Sequence, residues 1–296
     1  MDFARRCAFS PSRPQCMNWR ADSEKKWREL SARLQAEPPD PALRILVLAA
    51  HPDDETIGAS MLLSRFPESC VAFLTDGAPR DMKLWSAGVN GSQEHYAETR
   101  RHEAICALDC TGISRERIFW LGAVDQEAVF EIRRLAEMSA SLISKIRPAV
   151  VITHSYEGGH PDHDAAAVVA RLALREWDEK DRSALLEMTS YHALDGKCVT
   201  AEFLNPELTP ELLFELSGDD RERKRRMMNA YASQRLVLES FSVDRERLRL
   251  APEYDFSTPP HEGKLWYECM GWAMTGERWR ELATAAVSEF QEHACR

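Results

Sequence analysis

The chain carries Ile45-Leu46-Val47-Leu48-Ala49-Ala50-His51-Pro52-Asp53-Asp54-Glu55. Its first four residues are a continuous apolar run closed by a proline turn, which predicts a buried, parallel strand. The carboxyl tip of such a strand is where open α/β sheets place their ligands. A histidine and three acids stand at that tip. Unpaired charge beside an apolar core costs on the order of several kcal/mol per group. A divalent cation is the simplest species that offsets it.

A second cluster repeats the pattern. Val150-Val151-Ile152-Thr153-His154 reads as another buried strand and leads into Gly158-Gly159-His160-Pro161-Asp162-His163-Asp164. An alanine-rich stretch, Ala165 to Leu174, then reads as a helix. Both loops therefore belong at the carboxyl edge of one parallel sheet. Glycine lets backbone approach a ligand closely. An imidazole from each loop and one carboxylate would make three ligands with an open position, the pattern of catalytic rather than structural zinc.

Spacing separates the roles. His51 and Asp54 are three apart and share a side of a helical first turn. Asp53 is turned about 100° away and can face the open position. His160 and His163 are also three apart, so one can bind metal while the other faces substrate. Pro52 and Pro161 suit the first helical position, whose dipole favours carboxylates and an anionic transition state. Taken alone, the first string also reads as a polar helix start with an Asp cap. Two such strings after two buried strands are hard to explain that way.

These residues resemble the PIG-L/LmbE family of metal-dependent N-acetyl-sugar deacetylases. The resemblance rests on Ala50-His-Pro-Asp-Asp-Glu55 and Gly159-His-Pro-Asp-His163. Weaker pieces follow in order: Leu74-Thr75-Asp76-Gly77, Arg100 with Glu103 and Ala107, Leu121-Gly122, and Ser233-Gln234. It covers about residues 43 to 240. It implies His51, Asp54 and His163 as metal ligands, Asp53 as general base, and His160 as acid or electrophilic partner oriented by Asp162. It implies Zn2+, with Fe2+ suited to the same ligands. Some relatives place a tyrosine where this chain has Gly158; Tyr156 is near but does not match that position. Arg80, Asp81 and Arg100 are candidate contacts for sugar hydroxyls.

The expected fold is α/β, a Rossmann-like, mostly parallel sheet with helices on both faces and a smaller C-terminal strand and helix region. Residues 1–42 read as an N-terminal extension and 43–296 as the deacetylase-like domain; 296 residues suffice for one large core. A net charge of −10 disfavours a nucleic-acid partner. The one dense basic run, Arg221 to Arg226, reads as a solvated helix face. No apolar run reaches the roughly 18 residues of a membrane span, and the first residues lack a signal core, so a cytoplasmic location is expected. The eight cysteines include no C-x-x-C and read as reduced thiols. Cys106 and Cys110 share a helix face. The expected partner is a small amino sugar or glycoconjugate, and a homo-oligomer is compatible with the chain.

Further elements follow from periodicity. Asp22 to Leu34 predicts a short amphipathic helix. Glu187–Leu194 and Glu211–Leu216 predict strands, Asp219–Leu238 a long helix, and Trp266–His293 a helical end whose Trp266, Trp272 and Trp279 pack on the core, with a sugar-stacking role as the alternative for one of them. A nucleotide-binding oxidoreductase is disfavoured because no G-x-G-x-x-G follows the first strand. A non-catalytic sugar-binding protein would not need Asp53. A metal-dependent amidase acting on a non-sugar acyl amine remains as the alternative, since loops set the substrate.

Overall fold

The computed structural model describes residues 25–86, 88–175 and 183–294. The chain separates into two units, Met1–Asp40 and Pro41–Arg296. In the first, helix α1 spans residues 25–35, and Trp27, Leu30 and Leu34 are buried along it. Residues 22–24 of the predicted helix lie outside the described residues, as do Cys7, Cys16 and Cys295.

In the second unit, seven strands form one sheet: β1 (Ile45–Ala49), β2 (Cys70–Thr75), β3 (Ile118–Ala123), β4 (Val150–His154), β5 (Ala184–Met188), β8 (Glu211–Glu215) and β9 (Arg245–Leu250). Their order is β3-β2-β1-β4-β5-β9-β8. The first five run parallel, and β9 and β8 close the sheet antiparallel. Every residue of β1 and β4 is buried. Helices cover both faces of such strands, which is why they read as apolar runs without alternation.

The order reverses at the middle of the sheet. From β1 the chain steps outward to β2 and β3, then returns to β4 on the other side of β1, in register at Ile45–Val150 and Val47–Ile152. Right-handed crossovers then put α2 (Asp54–Arg65) and α3 (Gln93–Asp109) on one face, and α4 (Ile132–Ile146) and α5 (Pro161–Arg175) on the other. Helix α6 (Gly218–Ala230) packs with the first pair and α9 (Gly276–Ala294) with the second. This is the expected α/β architecture. The loops after β1 and β4 flank the reversal, where neighbouring connections diverge and leave a crevice.

Several expectations are revised. The single strand expected over Glu187–Leu194 is two, β5 and β6 (Tyr191–Leu194); β6 pairs with β7 (Lys197–Thr200) in a separate ribbon. Strand β9 was unforeseen, because Arg245-Glu-Arg-Leu-Arg-Leu250 hides its inward Glu246 and Arg249 among charges. The long helix expected to Leu238 stops at Ala230, where buried Tyr231 turns inward and donates to Glu55 Oε1 at 2.7 Å. A short α7 (Arg235–Leu238) follows. The helical end is interrupted: α8 (Trp266–Cys269) is separated from α9 by Gly271 at φ +70°.

The basic run on α6 is not uniformly solvated. Lys224 is buried, donates to Ile57 O at 2.7 Å, and pairs with Glu246 at 2.9 Å. Glu246 also accepts from Ser60 and from the Met61 N–H. The pair fastens α6 across α2 to β9. Lys224→Ala strands a carboxylate in the core and should cost about 3–5 kcal/mol. Denaturant unfolding checks this; a loss under about 1 kcal/mol, the scale of a surface pair, would mean that water reaches Glu246.

Candidate metal centre and active site

Three loops converge at the reversal point. The first, after β1, is folded on itself by its own acids. Asp54 Oδ2 accepts the His51 N–H at 2.8 Å, and Glu55 Oε2 accepts the Asp53 N–H at 3.0 Å. Glu55 is wholly buried, held by Tyr231, and its role is to shape this turn. Asp53 takes φ 124°, an unfavourable conformation for a residue with a Cβ. Such strain persists where the surroundings impose it, and it concentrates at functional sites. Helix α2 begins after Asp53, so Pro52 stands before the helix rather than at its first position. Pro161 does begin α5, as expected.

The second loop, after β4, is shaped by Asp164, whose Oδ1 accepts the N–H groups of Glu157 and Gly158 at 3.2 and 3.0 Å. A Cβ on Gly159 would stand 1.9 Å from Tyr191 O, so β6 lies directly against this backbone and only glycine fits. The third loop, after β3, brings Asp125 and Gln126. It had no part in the sequence-based reading.

Asp54 is the hub. Its Oδ2 lies 3.2 Å from His51 Nδ1 and its Oδ1 3.2 Å from His163 Nε2. The three ligands expected from sequence are thus brought together, and all are buried. A fourth histidine was missed: His154 Nε2 accepts the Ala50 N–H at 3.1 Å and lies 3.3 Å from Asp54 Oδ2, and its ring stacks on His163 at 4.0 Å, leaving only its Nδ1 without a partner. Its signal was its position as the last residue of the strand beside β1. Donor atoms cluster in three sets among the described residues: His51, His160 and His163; His51, Asp125, His160 and Asp162; and Asp54, His154 and His163.

The donor chemistry fits a cation. The Nδ1 atoms of His154 and His163 and Oδ1 of Asp125 are buried without hydrogen-bond partners. Burial drives His163 down to about 3, so its imidazole is neutral, as metal binding requires. Burial alone would raise Asp54, but the neighbouring His163 and His154 outweigh it and hold the carboxyl well below its usual range. Asp53, Asp54, Asp125 and Asp162 crowd this volume. Of the described residues lining the cavity, Lys83 and Arg100 carry positive charge, and His51 shares it through the acids around it. These observations support a metal-binding His/Asp group without choosing the ion.

The roles expected for Asp162 and His160 change. Asp162 was expected to orient His160, but its Oδ2 lies 3.1 Å from His51 Nε2 and 3.9 Å from His160 Nδ1. It also accepts the N–H groups of Gln126 and Ala128 at 2.6 and 3.0 Å. It therefore fixes His51, as carboxylates behind ligand histidines do. Burial lowers His51, but Asp125, Asp162 and Asp54 more than reverse this and raise it well above an ordinary imidazole. His160 was expected to be raised by Asp162. Burial, with His51 and His163 alongside, instead pushes it well below the usual value. Its Nδ1 accepts the Asp162 backbone N–H at 3.1 Å, so the neutral ring carries its proton on Nε2, which lies 3.0 Å from the Gln126 side-chain amide and donates to it when that amide presents its oxygen.

The substrate-contact expectations divide. Arg80 is exposed and pairs with Glu127 at 2.8 Å, and Asp81 caps a short 3-10 turn by accepting the Lys83 N–H at 3.0 Å. Neither lines the cavity over the site. Arg100 does, but it is buried and serves the loop. Its guanidinium pairs with Asp53 at 3.1 Å, donates to Pro52 O, and donates to Gly77 O at 3.1 Å. Glu103 behind it accepts from Ser233 N and Oγ at 2.7 and 2.6 Å. A Cβ on Gly77, already at φ +65°, would press on Arg100 Nε at 2.8 Å. The weak sequence pieces at 77, 100, 103 and 233 thus form one brace behind Asp53.

A cavity of about 580 Å³ opens over Asp53, Asp54 and the histidines. Tyr156 lies elsewhere, donating to Thr258 O at 2.9 Å. Tyr191, from β6, lines the cavity with its ring 5.2 Å from that of His163. Trp279 packs in the core and donates to Pro161 O at 2.9 Å, as expected. Trp272 also packs against the core, and both Trp266 and Trp272 line the cavity, with Trp272 edge-on to His160 at 4.8 Å. Cys106 and Cys110 interact through Cys110 Sγ and Cys106 O at 3.6 Å. Among the described residues, no helix is long and apolar enough to cross a membrane.

Residues 46–174 match the family model PIG-L, GlcNAc-PI de-N-acetylase. A 1D-myo-inositol 2-acetamido-2-deoxy-alpha-D-glucopyranoside deacetylase from Rhodococcus jostii is 29% identical over 155 residues, 44% of this chain and 53% of that protein. A mycothiol S-conjugate amidase from Streptomyces coelicolor is 29% identical over 144 residues, 41% and 48% of the two chains. The chain spans about half the length of the curated relatives it matches. A deacetylase of teicoplanin biosynthesis shares the fold at TM-score 0.53 and 18% identity, over 70% of this chain and 96% of that one. So does GalB, a 4-carboxy-2-hydroxymuconate hydratase from Pseudomonas putida, at 0.50 and 15%, over 72% and 98%. The fold alone therefore does not choose the reaction.

Proposed function

We propose that this chain, whose residues 46–174 match the PIG-L family model, is a metal-dependent N-deacetylase acting on an N-acetylglucosamine-type sugar or glycoconjugate. The observation that carries the reading is Asp53, a buried carboxylate strained into the cavity and clamped by Arg100 beside three metal-type donors. In this reading residues 43–296 are the catalytic domain and residues 1–42 an extension. His51, Asp54 and His163 hold the ion, with zinc first and ferrous iron suited to the same donors. Bound there, the ion polarises the acetyl carbonyl and eases the ionisation of water.

The chain's own residues carry the protons. Asp53 takes one from the water that attacks the acetyl carbon. The neutral His160 Nε2–H meets the charge growing on the carbonyl oxygen, a dipole already fixed by its Nδ1 bond to the Asp162 backbone. As the C–N bond breaks, Asp53 returns its proton to the nitrogen, and acetate and the free amine leave. Asp162 acts through His51 rather than on substrate. The amidase among the relatives favours one alternative, an acyl amine other than an acetylated sugar. Acetate release across a panel of N-acetylated amino sugars, set against non-sugar acyl amines, separates the two. No release from any amino sugar by the metal-loaded protein would end the deacetylase reading.

The pH profile follows from Asp53. Burial raises it and Arg100 opposes this, leaving it at about 7. A base works only when deprotonated, so the rate should climb as pH rises through that region; a bound cation would move the limb lower. Arg100→Gln removes the charge that favours the carboxylate, so the limb should move to higher pH. A limb unmoved in that variant would assign it to another group. Since His160 is already neutral, His160→Ala should lower the rate by about 10² without removing an alkaline limb.

A further inference from the structure

The cavity has two different parts. Its floor holds the acids and histidines. Its mouth is apolar, and the side chains responsible come from three separated segments. Leu84 lies in the 3-10 turn Met82–Leu84, Leu236 and Val237 on α7, and Met270 just past α8. They are 38, 70, 48 and 52% exposed, so this surface faces water with nothing of the described chain covering it. Isolated exposed apolar residues are ordinary, but a contiguous apolar patch marks a binding surface. Phe130, Leu208 and Leu213 are exposed as well and do not line this cavity.

We propose that the mouth is a subsite for an apolar aglycone, an alkyl or aryl group carried by the amino sugar whose acetamide reaches Asp53. The inference rests on the deacetylase reading for the orientation of the sugar, but not for the subsite itself.

Size supports this occupant. An N-acetylhexosamine has about 15 heavy atoms. Even at the roughly 30 Å³ that a water molecule takes in the liquid, each counted as one, it leaves part of the space empty. The cavity measures about 580 Å³. Charge supports it too. The acids lining the cavity, Asp53, Asp54 and Asp125, all belong to the floor, and Lys83 is the charged residue near the mouth. A further sugar would need hydroxyl partners; Leu84, Leu236, Val237 and Met270 offer none, and Thr200, Gln234 and Ser240, which also line the cavity, already donate to Ser240 O, Tyr96 Oη and Val237 O. An alkyl or aryl group loses nothing there and gains by leaving water. Continuity with the floor makes the occupant part of the substrate rather than a separate ligand.

Two measurements test the subsite separately from the reaction. In the first, calorimetry follows binding of methyl, butyl and hexyl glucosides, which lack the acetamide. Affinity should rise with chain length by up to about fourfold per buried methylene. Leu236→Ser combined with Met270→Ser should flatten that series. In the second, kcat/KM for acetate release from the matching N-acetylglucosaminides should rise with the same slope. Equal affinity for methyl and hexyl glucosides overturns the subsite whatever the chemistry. A graded binding series without acetate release keeps the subsite and removes the deacetylase reading. Sedimentation with phosphatidylcholine vesicles that the double variant abolishes, with a flat glucoside series, would make the mouth a membrane-facing surface and overturn the proposal.

Discussion

Asp53→Asn lowers turnover by about 10² to 10⁴ while metal content stays at the wild-type level; this is the usual scale for losing a general base. Asn is nearly isosteric and can still accept from Arg100, which pairs with Asp53 at 3.1 Å. The brace from Arg100 through Glu103 to Ser233 should therefore hold the loop in place. What disappears is the carboxylate's capacity to take a proton. Elemental analysis alongside single-turnover acetate release distinguishes the outcomes. Loss of metal in Asp53→Asn would mean that the two aspartates have exchanged roles, with Asp53 the ligand. Near-normal turnover would remove Asp53 from the chemistry.

Removing the metal has the larger expected effect, abolishing acetate release, and added Zn2+ or Fe2+ restores it. The reason is electrostatic. Asp53, Asp54, Asp125 and Asp162 are gathered around His51, and His163 is held neutral at about 3 with a free electron pair. Asp54→Ala should act like a chelator, because Asp54 alone faces His51, His154 and His163 together. Its loss should also lower stability, since the carboxylate accepts the His51 N–H that closes the turn. Thermal unfolding with and without Zn2+ provides a check besides activity: wild type gains stability from the ion and Asp54→Ala does not. Full acetate release by chelated protein, with no metal found by elemental analysis, would end the metal-hydrolase reading.

The sequence by itself determined the strand-and-loop frame and the ligand types. Runs such as Ile45–Ala49 and Val150–His154 are apolar throughout because helices cover both faces, and that pattern is local. So are the three-residue spacings of His51 with Asp54 and of His160 with His163. The tertiary structure alone decided who partners whom. Asp162 stands two residues from His160 and holds it through a backbone N–H, yet its carboxylate serves His51, because β4 lies beside β1 and the loop after β3 delivers the N–H groups that turn the carboxylate that way. His154, Asp125 and Tyr191 carry no motif. They join the site only because the strand order reverses between β1 and β4 and β6 crosses the Gly159 backbone. Arg100 reads from sequence as a candidate sugar contact or a structural partner of Glu103, and burial beside Asp53 makes it a brace. Spacing along the chain specifies side-chain direction over one turn. Contacts across about 100 residues depend on sheet order, which no local pattern encodes.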